Sequence, residues 1–344
     1  MNKTSFAPIS QFLHRYPLAW MLPLAAVLVL FPQLPLQRSA FWIRVLAYSC
    51  LYIILGLGLN IVVGFSGLLN LGYVAFYAIG AYTYALLASD FFDFHVSFWV
   101  VLFIGSALAA LAGVLLSFPL LHLRGDYLAI VTLGFGEIVR ILATNLTDLT
   151  NGSQGLIGID SPVFFGFELK SGEHFYYLLL VVLVLVTFLT YRLNNSRIGR
   201  AWTAIREDEV VAQGMGVNTT WYKLLAFTIG AAIGGLGGVI FSAWQGSIFP
   251  DNFNLMVSVN VLCLIIIGGM GSIPGVILGG IILIAIPDVL REFSNYRMLL
   301  YGLLLVIMMI ARPEGFIPSR RQKLGQLVEN RSKEADLGPG EVSE

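Results

Sequence analysis

Charge is scarce in this chain. Asp, Glu, Lys and Arg make up 12% of 344 residues, about half the share carried by a soluble globular domain. That excludes an ordinary water-soluble enzyme and points to a polytopic membrane protein. The formal net charge of zero is silent about nucleic acid, and no basic patch interleaved with aromatics occurs, so no nucleic-acid partner is expected. Cysteine is also rare. Cys50 and Cys263 both lie inside apolar runs and read as small buried hydrophobes rather than as a disulfide or a metal site. The four histidines, His14, His95, His122 and His174, are scattered without metal-ligand spacing. No phosphate-cradling G-x-x-x-x-G-K-[ST] loop and no nucleophile–base pair occurs. No catalytic residue, metal or cofactor is therefore expected. If the protein performs ATP-driven work, the ATPase is another polypeptide.

What the chain has in abundance is apolar sequence: 57% of residues are hydrophobic and the mean hydropathy is +0.82. A helix crosses a bilayer in about 20 residues, and the apolar runs predict an all-α membrane protein of about ten segments. They fall at about 18–36, 41–63, 73–88, 98–121, 127–143, 175–193, 224–244, 255–267, 276–286 and 297–311. No small-residue cleavage site follows the first run, which is read as a membrane helix rather than a signal peptide. Two glycine-rich breaks, GFSGLLNLG (64–72) and GGMGSIPG (268–275), interrupt the pattern. Lys and Arg concentrate in 192–223 (Arg192, Arg197, Arg200, Arg206, Lys223), at Arg124 and in the start of the tail, whereas 89–97 and 144–174 are acidic. The positive-inside rule puts the first set in the cytoplasm. With residues 1–17 and the tail 312–344 both cytoplasmic, the number of crossings must be even. That requires 255–286 to be two short segments rather than one. The tail lacks apolar periodicity, and its end is expected to be disordered. The apolar–glycine–apolar units at 41–88 and 255–286 both enter from and return to the same side, a compositional match to a parallel internal repeat.

The membrane body, 18–311, is organised around its longest polar segment, Ser196–Lys223, within the cytoplasmic loop 194–223. Ile198–Gln213 reads as a helix in which Ala201, Ala204, Ile205, Val211 and Ala212 share an arc of roughly 120°. Arg206, Glu207 and Glu209 fall outside the arc. Asp208 falls within it, which leaves two readings: a polar contact in a partner's groove, or the N-cap of a second short helix, Glu209–Gln213. Gly214 and Gly216 then end the helix. A solvated loop would have no need of Trp202 and an apolar stripe.

Glu137 and Arg140 lie three residues apart in the fifth segment and can pair on one face. Eleven residues past Asp126, Glu137 sits about 16 Å along the helix, where an ionisable group must face the bundle interior. The pair either lines a translocation path or ties helices together. Asn60, Ser66, Asn70 and Asn260 lie at or near the glycine breaks. They suit recognition of a zwitterion's amino and carboxylate groups, or helix–helix hydrogen bonding. Gly230, Gly234, Gly235, Gly237 and Gly238 read as close-packing positions. From the residues alone, a self-contained secondary transporter or channel remains open beside an ATP-driven permease.

Five stretches carry a resemblance: LNIVVGFSGLLNLGYVAFYAIGAY (59–82), RGDYLAIVTLGFGEIVRIL (124–142), IGRAWTAIREDEVVAQGMGV (198–217), IIIGGMGSIPGVIL (265–278) and RPEGFIP (312–318). In this order they resemble the LivM-type permeases of branched-chain amino acid ABC importers. The resemblance implies an ABC importer permease fold in a bacterial inner membrane and a heterodimer with a LivH-like sister permease. It also implies two ATPase subunits, LivG- and LivF-like, and an external substrate-binding protein. It implies that the loop containing Ala201, Ile205, Glu207, Asp208, Glu209, Ala212 and Gly214 inserts into an ATPase cleft. Gly214 matches that loop's glycine, while the Glu-Ala-Ala triplet of other importers is absent. Implied substrates are leucine, isoleucine, valine or other neutral amino acids; urea and short-chain amide permeases are relatives whose segments differ more.

Overall fold

Helices follow the apolar runs wherever the two can be compared. The computed structural model describes residues 39–289, except 90, 93, 121, 122, 124, 165, 166 and 170, together with 302, 303, 306 and 315–317. The expected first segment (18–36), most of the last (297–311), the N-terminal stretch 1–17 and most of the tail 312–344 lie outside the described residues. The principal helices are α1 (Ser39–Asn60), α2 (Val74–Leu87), α3 (Phe98–Leu120), α4 (Asp126–Asn145), α5 (Gly172–Asn194), α6 (Arg197–Glu207), α7 (Glu209–Gly214), α8 (Thr219–Gln245), α9 (Leu255–Gly268) and α10 (Ile273–Val289). Among the described residues, six helices are long and apolar enough to span a membrane, and Val74–Leu87 and Ile273–Ile284 are shorter. The described residues thus show an all-α polytopic membrane protein without reaching ten crossings.

Caps explain several boundaries. Ser171 accepts the His174 amide at the start of α5, and Asn218 accepts that of Trp221 at the start of α8. Each satisfies a donor that the first helical turn leaves free. Gly246 ends α8 at φ 65°, a left-handed conformation that glycine adopts without strain.

α8 is the hub, packed against α3, α2 and α1. Its glycines allow the approach: a Cβ at Gly235 would lie 2.9 Å from the Gly105 carbonyl oxygen, and one at Gly238 would lie 2.7 Å from the Ala81 nitrogen. Backbones this close give dense packing without a hydrophobic driving force, as helices in lipid require. In the most apolar stretch of α1, 83% of residues are buried, against 33% in α3 and 28% in α4. α3, α4 and α5 turn Phe103, Leu115, Ile130, Val181 and Phe188 outward. Such a surface suits lipid or another apolar partner rather than water.

The chain has two distinct ends. One carries Ser196–Lys223, hereafter the arm. At the other, Tyr48 accepts a hydrogen bond from Gln245 at 2.5 Å, and β1 (Leu156–Ile157) pairs antiparallel with β4 (Ser247–Ile248). A second antiparallel pair, β2 (Val163–Phe164) with β3 (Phe167–Glu168), lies in the same connection. The acidic connection 144–174 is thus structured in part; it also contains a helical turn, Thr147–Thr150. α1 runs from this end toward the arm and α2 returns, since Ser89 bridges to Ile159. α9 and α10 form a second hairpin, with Gly268 and Gly275 in mutual contact.

Candidate functional site

The two glycine breaks, 204 residues apart from Gly64 to Gly268 in sequence, meet at the arm end. After Asn60 the chain widens into a fully buried π-helical turn, Ile61–Phe65, a rare form that is frequent at functional sites. The Leu68 amide closes it on the Val62 carbonyl at 3.0 Å, and the Ser66 hydroxyl donates to that carbonyl at 2.7 Å. Gly67 then reverses the chain at φ 72°. Across the gap, Gly271, at φ 81°, donates its amide to the Asn60 side-chain oxygen at 2.9 Å. A Cβ on Gly64 would strike that same oxygen and lie 2.6 Å from the Gly271 nitrogen.

Broken helices free backbone groups that lipid cannot satisfy, and here other elements satisfy them. The Leu71 amide donates to the Thr132 hydroxyl of α4 at 3.1 Å. The Gly72 amide donates to Asn70 at 2.9 Å, and the Val74 amide to the Ser258 hydroxyl of α9 at 2.9 Å. At the end of α9 the Ile267 and Gly268 carbonyls accept from Phe316 and Ile317 at 2.8 and 3.1 Å. Phe316 and Ile317 therefore cap the second break. Two donors are left over: the side-chain nitrogens of Asn60 and Asn70 are buried and meet no acceptor among the described residues. Asn260 is half-buried on α9, two residues past Ser258.

Glu137 and Arg140 do not join this cluster. Arg140 Nε donates to Glu137 Oε1 at 3.0 Å, and its Nη1 lies 3.5 Å from the carboxylate of Asp251. Asp251 belongs to the Pro250–Phe253 turn at the opposite end. Sequence reading missed this third member, whose only signal was an acidic residue beside a proline turn. The side chains of Glu137 and Arg140 remain 40% and 29% exposed, on a helix that is itself poorly covered.

The arm is two helices rather than one. Asp208 is extended at φ −156°, ψ 115°, and its carboxylate accepts from the Val210 and Val211 amides at 2.8 and 2.9 Å. It is the cap of α7, so the helix expected over 198–213 is broken at this residue. The break rotates α7, and Val211, expected on the buried arc, is exposed together with Val210 and Met215. Gly214 is the last helical residue, and it is Gly216, at φ 87°, that takes the left-handed turn.

Of the seven residues expected on a docking surface, Ala201, Ile205 and Ala212 are buried against the protein's own bundle. A short amphipathic helix has to bury its apolar face somewhere, and α8 and the π turn lie directly beneath. Glu209 is engaged by Lys223, 2.5 Å away and almost fully buried. Glu207, Asp208 and Gly214 face outward. A Cβ on Gly214 would meet nothing within 4 Å, so the fold itself places no demand for glycine there. Three residues with structural weight were overlooked or undervalued in the sequence. Trp202 is completely buried; it donates to the Tyr222 carbonyl at 2.7 Å and stacks on Phe65 of the π turn, 6.5 Å between centroids. Lys223 counted only toward the positive-inside tally. Arg206, counted the same way, donates to the Gly64 carbonyl inside the π turn. Between the arm, the first break and the start of α4 lies a half-open cleft of about 230 Å³, edged by Ser66, Asp126, Arg206, Glu209 and Lys223.

A polytopic helical bundle with two abutting broken hairpins, and a polar amphipathic arm seated on them, defines a transport protein rather than an enzyme. The family described as branched-chain amino acid transport system, permease component, matches residues 41–311, and the chain belongs to it. It is 45% identical, over 88% of its length and 76% of the relative's, to the high-affinity branched-chain amino acid transport system permease protein LivM of Escherichia coli. It is 25% identical, over 80% of its length, to a probable LivM permease of Methanocaldococcus jannaschii. It is also 27% identical, over 77% of its length, to the permease protein LivH of Salmonella typhimurium. No solved structure matches the chain.

Proposed function

We infer that the chain is the membrane-spanning permease subunit of an ATP-driven ABC importer for leucine, isoleucine and valine. The observation that carries this reading is family membership over 41–311, together with an arm that packs on both helix breaks while turning Val210, Val211 and Met215 outward. Exposed apolar residues on an otherwise polar arm suit the cleft of a separate ATPase. Two ATPases, a LivH-like sister permease and an external substrate-binding protein complete the assembly. Arg192, Arg197, Arg200, Arg206 and Lys223 support a cytoplasmic position for the arm. In that orientation the β-paired end, with Asp160 and Asp251, faces the binding protein. Ten crossings follow if 18–36 and 297–311 both span a bacterial inner membrane.

The two unpartnered amide nitrogens, on Asn60 and Asn70, are the strongest candidates for groups that meet the substrate during passage. The Glu137–Arg140–Asp251 cluster lies nearer the outer mouth. Substrate thus moves from the outer mouth past the paired breaks, while ATP binding in the partner subunits drives the arm. The test is uptake of labelled leucine into vesicles that contain the chain, its sister permease and the ATPases, with binding protein outside. Uptake should require ATP and all subunits. Uptake by the purified chain alone, dissipated by an ionophore, would overturn the reading in favour of a secondary transporter; preference for urea would overturn the substrate.

A further inference from the structure

We propose that Arg206 is the positioning residue that delivers movement of the arm to both helix breaks at once. The inference rests on the reading that the arm docks on an ATPase. Arg206 lies in the last turn of α6, two residues before the Asp208 cap, so a displacement of α7 is felt there first. Its guanidinium donates to the Gly64 carbonyl, which the π turn leaves without a helical partner. Its stem and head touch both breaks. A Cβ on Gly67 would lie 2.9 Å from Arg206 Cγ, and one on Gly271 would lie 3.1 Å from its Nη1. The breaks are in turn tied to each other by the Gly271 amide on Asn60. One side chain therefore sits at the junction of three elements: the arm, the π turn of the first hairpin and the apex of the second. A planar, multi-donor, permanently charged head suits such a junction better than a lysine's point charge.

Withdrawal of Arg206 removes the only side-chain donor seen on the Gly64 carbonyl among the described residues. The π turn then has a free acceptor and reason to rearrange. Rearrangement of the π turn moves Asn60 and, through it, Gly271. The two hairpins change conformation together rather than in sequence.

The test uses the full complex in proteoliposomes and reads leucine uptake and ATP hydrolysis side by side. Arg206→Met keeps the apolar stem and removes the donors. It should leave ATP hydrolysis within about twofold of the parent and lower leucine moved per ATP about tenfold, the effect on an equilibrium of losing a charged hydrogen bond. Arg206→Lys should recover part of that ratio. An unchanged ratio in Arg206→Met overturns the proposal, as does an equal fall in both activities with no rescue by lysine. Hydrogen exchange on the unmodified complex supplies an arm that needs no variant. Trapping with ATP and orthovanadate should change protection in 61–72 and 268–272 together, and a change in neither or in only one overturns the proposal. Val210→Asp separates this from failure of the docking reading. If Val210→Asp abolishes ATP-driven uptake while Arg206→Met stays fully coupled, docking stands and the Arg206 role falls.

Discussion

Removing either partner of the Lys223–Glu209 pair should have unequal effects, and the inequality measures how α7 is held. α7 is a six-residue helix, far too short to persist on its own. It is fastened by the Asp208 cap, by buried Ala212 and by the 2.5 Å contact from Glu209 to Lys223. The two side chains are differently placed: Lys223 is 5% exposed and Glu209 25%. Glu209→Ala strands an ammonium group in the protein. Breaking a buried pair this way costs about 3 kcal/mol or more, which is about a hundredfold in the equilibrium between seated and released α7. Lys223→Met leaves the carboxylate within reach of water and fills the lysine's space with a stem of similar length, at about 1 kcal/mol, close to the value of a surface pair. The amides of Ala212, Met215 and Val217, hydrogen-bonded within the arm, report on the seated state by hydrogen exchange. Their protection should fall by about two orders of magnitude in Glu209→Ala and about fivefold in Lys223→Met. The double variant Glu209→Leu/Lys223→Met should sit near the Lys223→Met level. Equal loss in the two single variants, or greater loss in Lys223→Met, would refute the buried-cation reasoning.

Three further outcomes are expected. Gly214→Trp should insert and assemble normally, because nothing lies within 4 Å of its Cβ, yet lower ATP-driven uptake at least about tenfold if the surface docks; wild-type uptake refutes a docking role. Asp208→Ala should cost α7 about 1 kcal/mol through loss of its cap, seen as raised protease sensitivity within 207–217, with Asp208→Asn restoring most of it. Asn60→Ala leaves the part-buried Gly271 amide without its acceptor, at about 1 kcal/mol. The purified complex should melt several degrees lower, and an unchanged melting temperature would show that the link between the breaks carries no stability.

How far the sequence reached is clearest at the arm. Ala201 and Ile205 were assigned to one face of a helix, and both are buried; periodicity finds an apolar stripe reliably. It could not say what the stripe covers, and the same residues were set on a partner-facing surface when they in fact seat the arm on its own bundle. The Asp208 ambiguity was visible as a charged residue in an apolar arc, but only the backbone conformation chose the cap. With that choice Val211 moved from core to surface. Arg206 left no local trace, because its partners, Gly64, Gly67 and Gly271, are at least 65 positions away in sequence.

Local sequence determined the class and the parts: scarce charge and long, non-alternating apolar runs specify helices in lipid, since a helix satisfies nearly all of its backbone donors along its own length. Glycine clusters likewise marked where those helices stop. Tertiary structure alone decided that the two stops face each other, that Asn60 joins them and that Arg206 reaches both from the arm. Those contacts depend on which helix faces pack together, and close packing of α8 through its glycines settles that only once the whole bundle has formed.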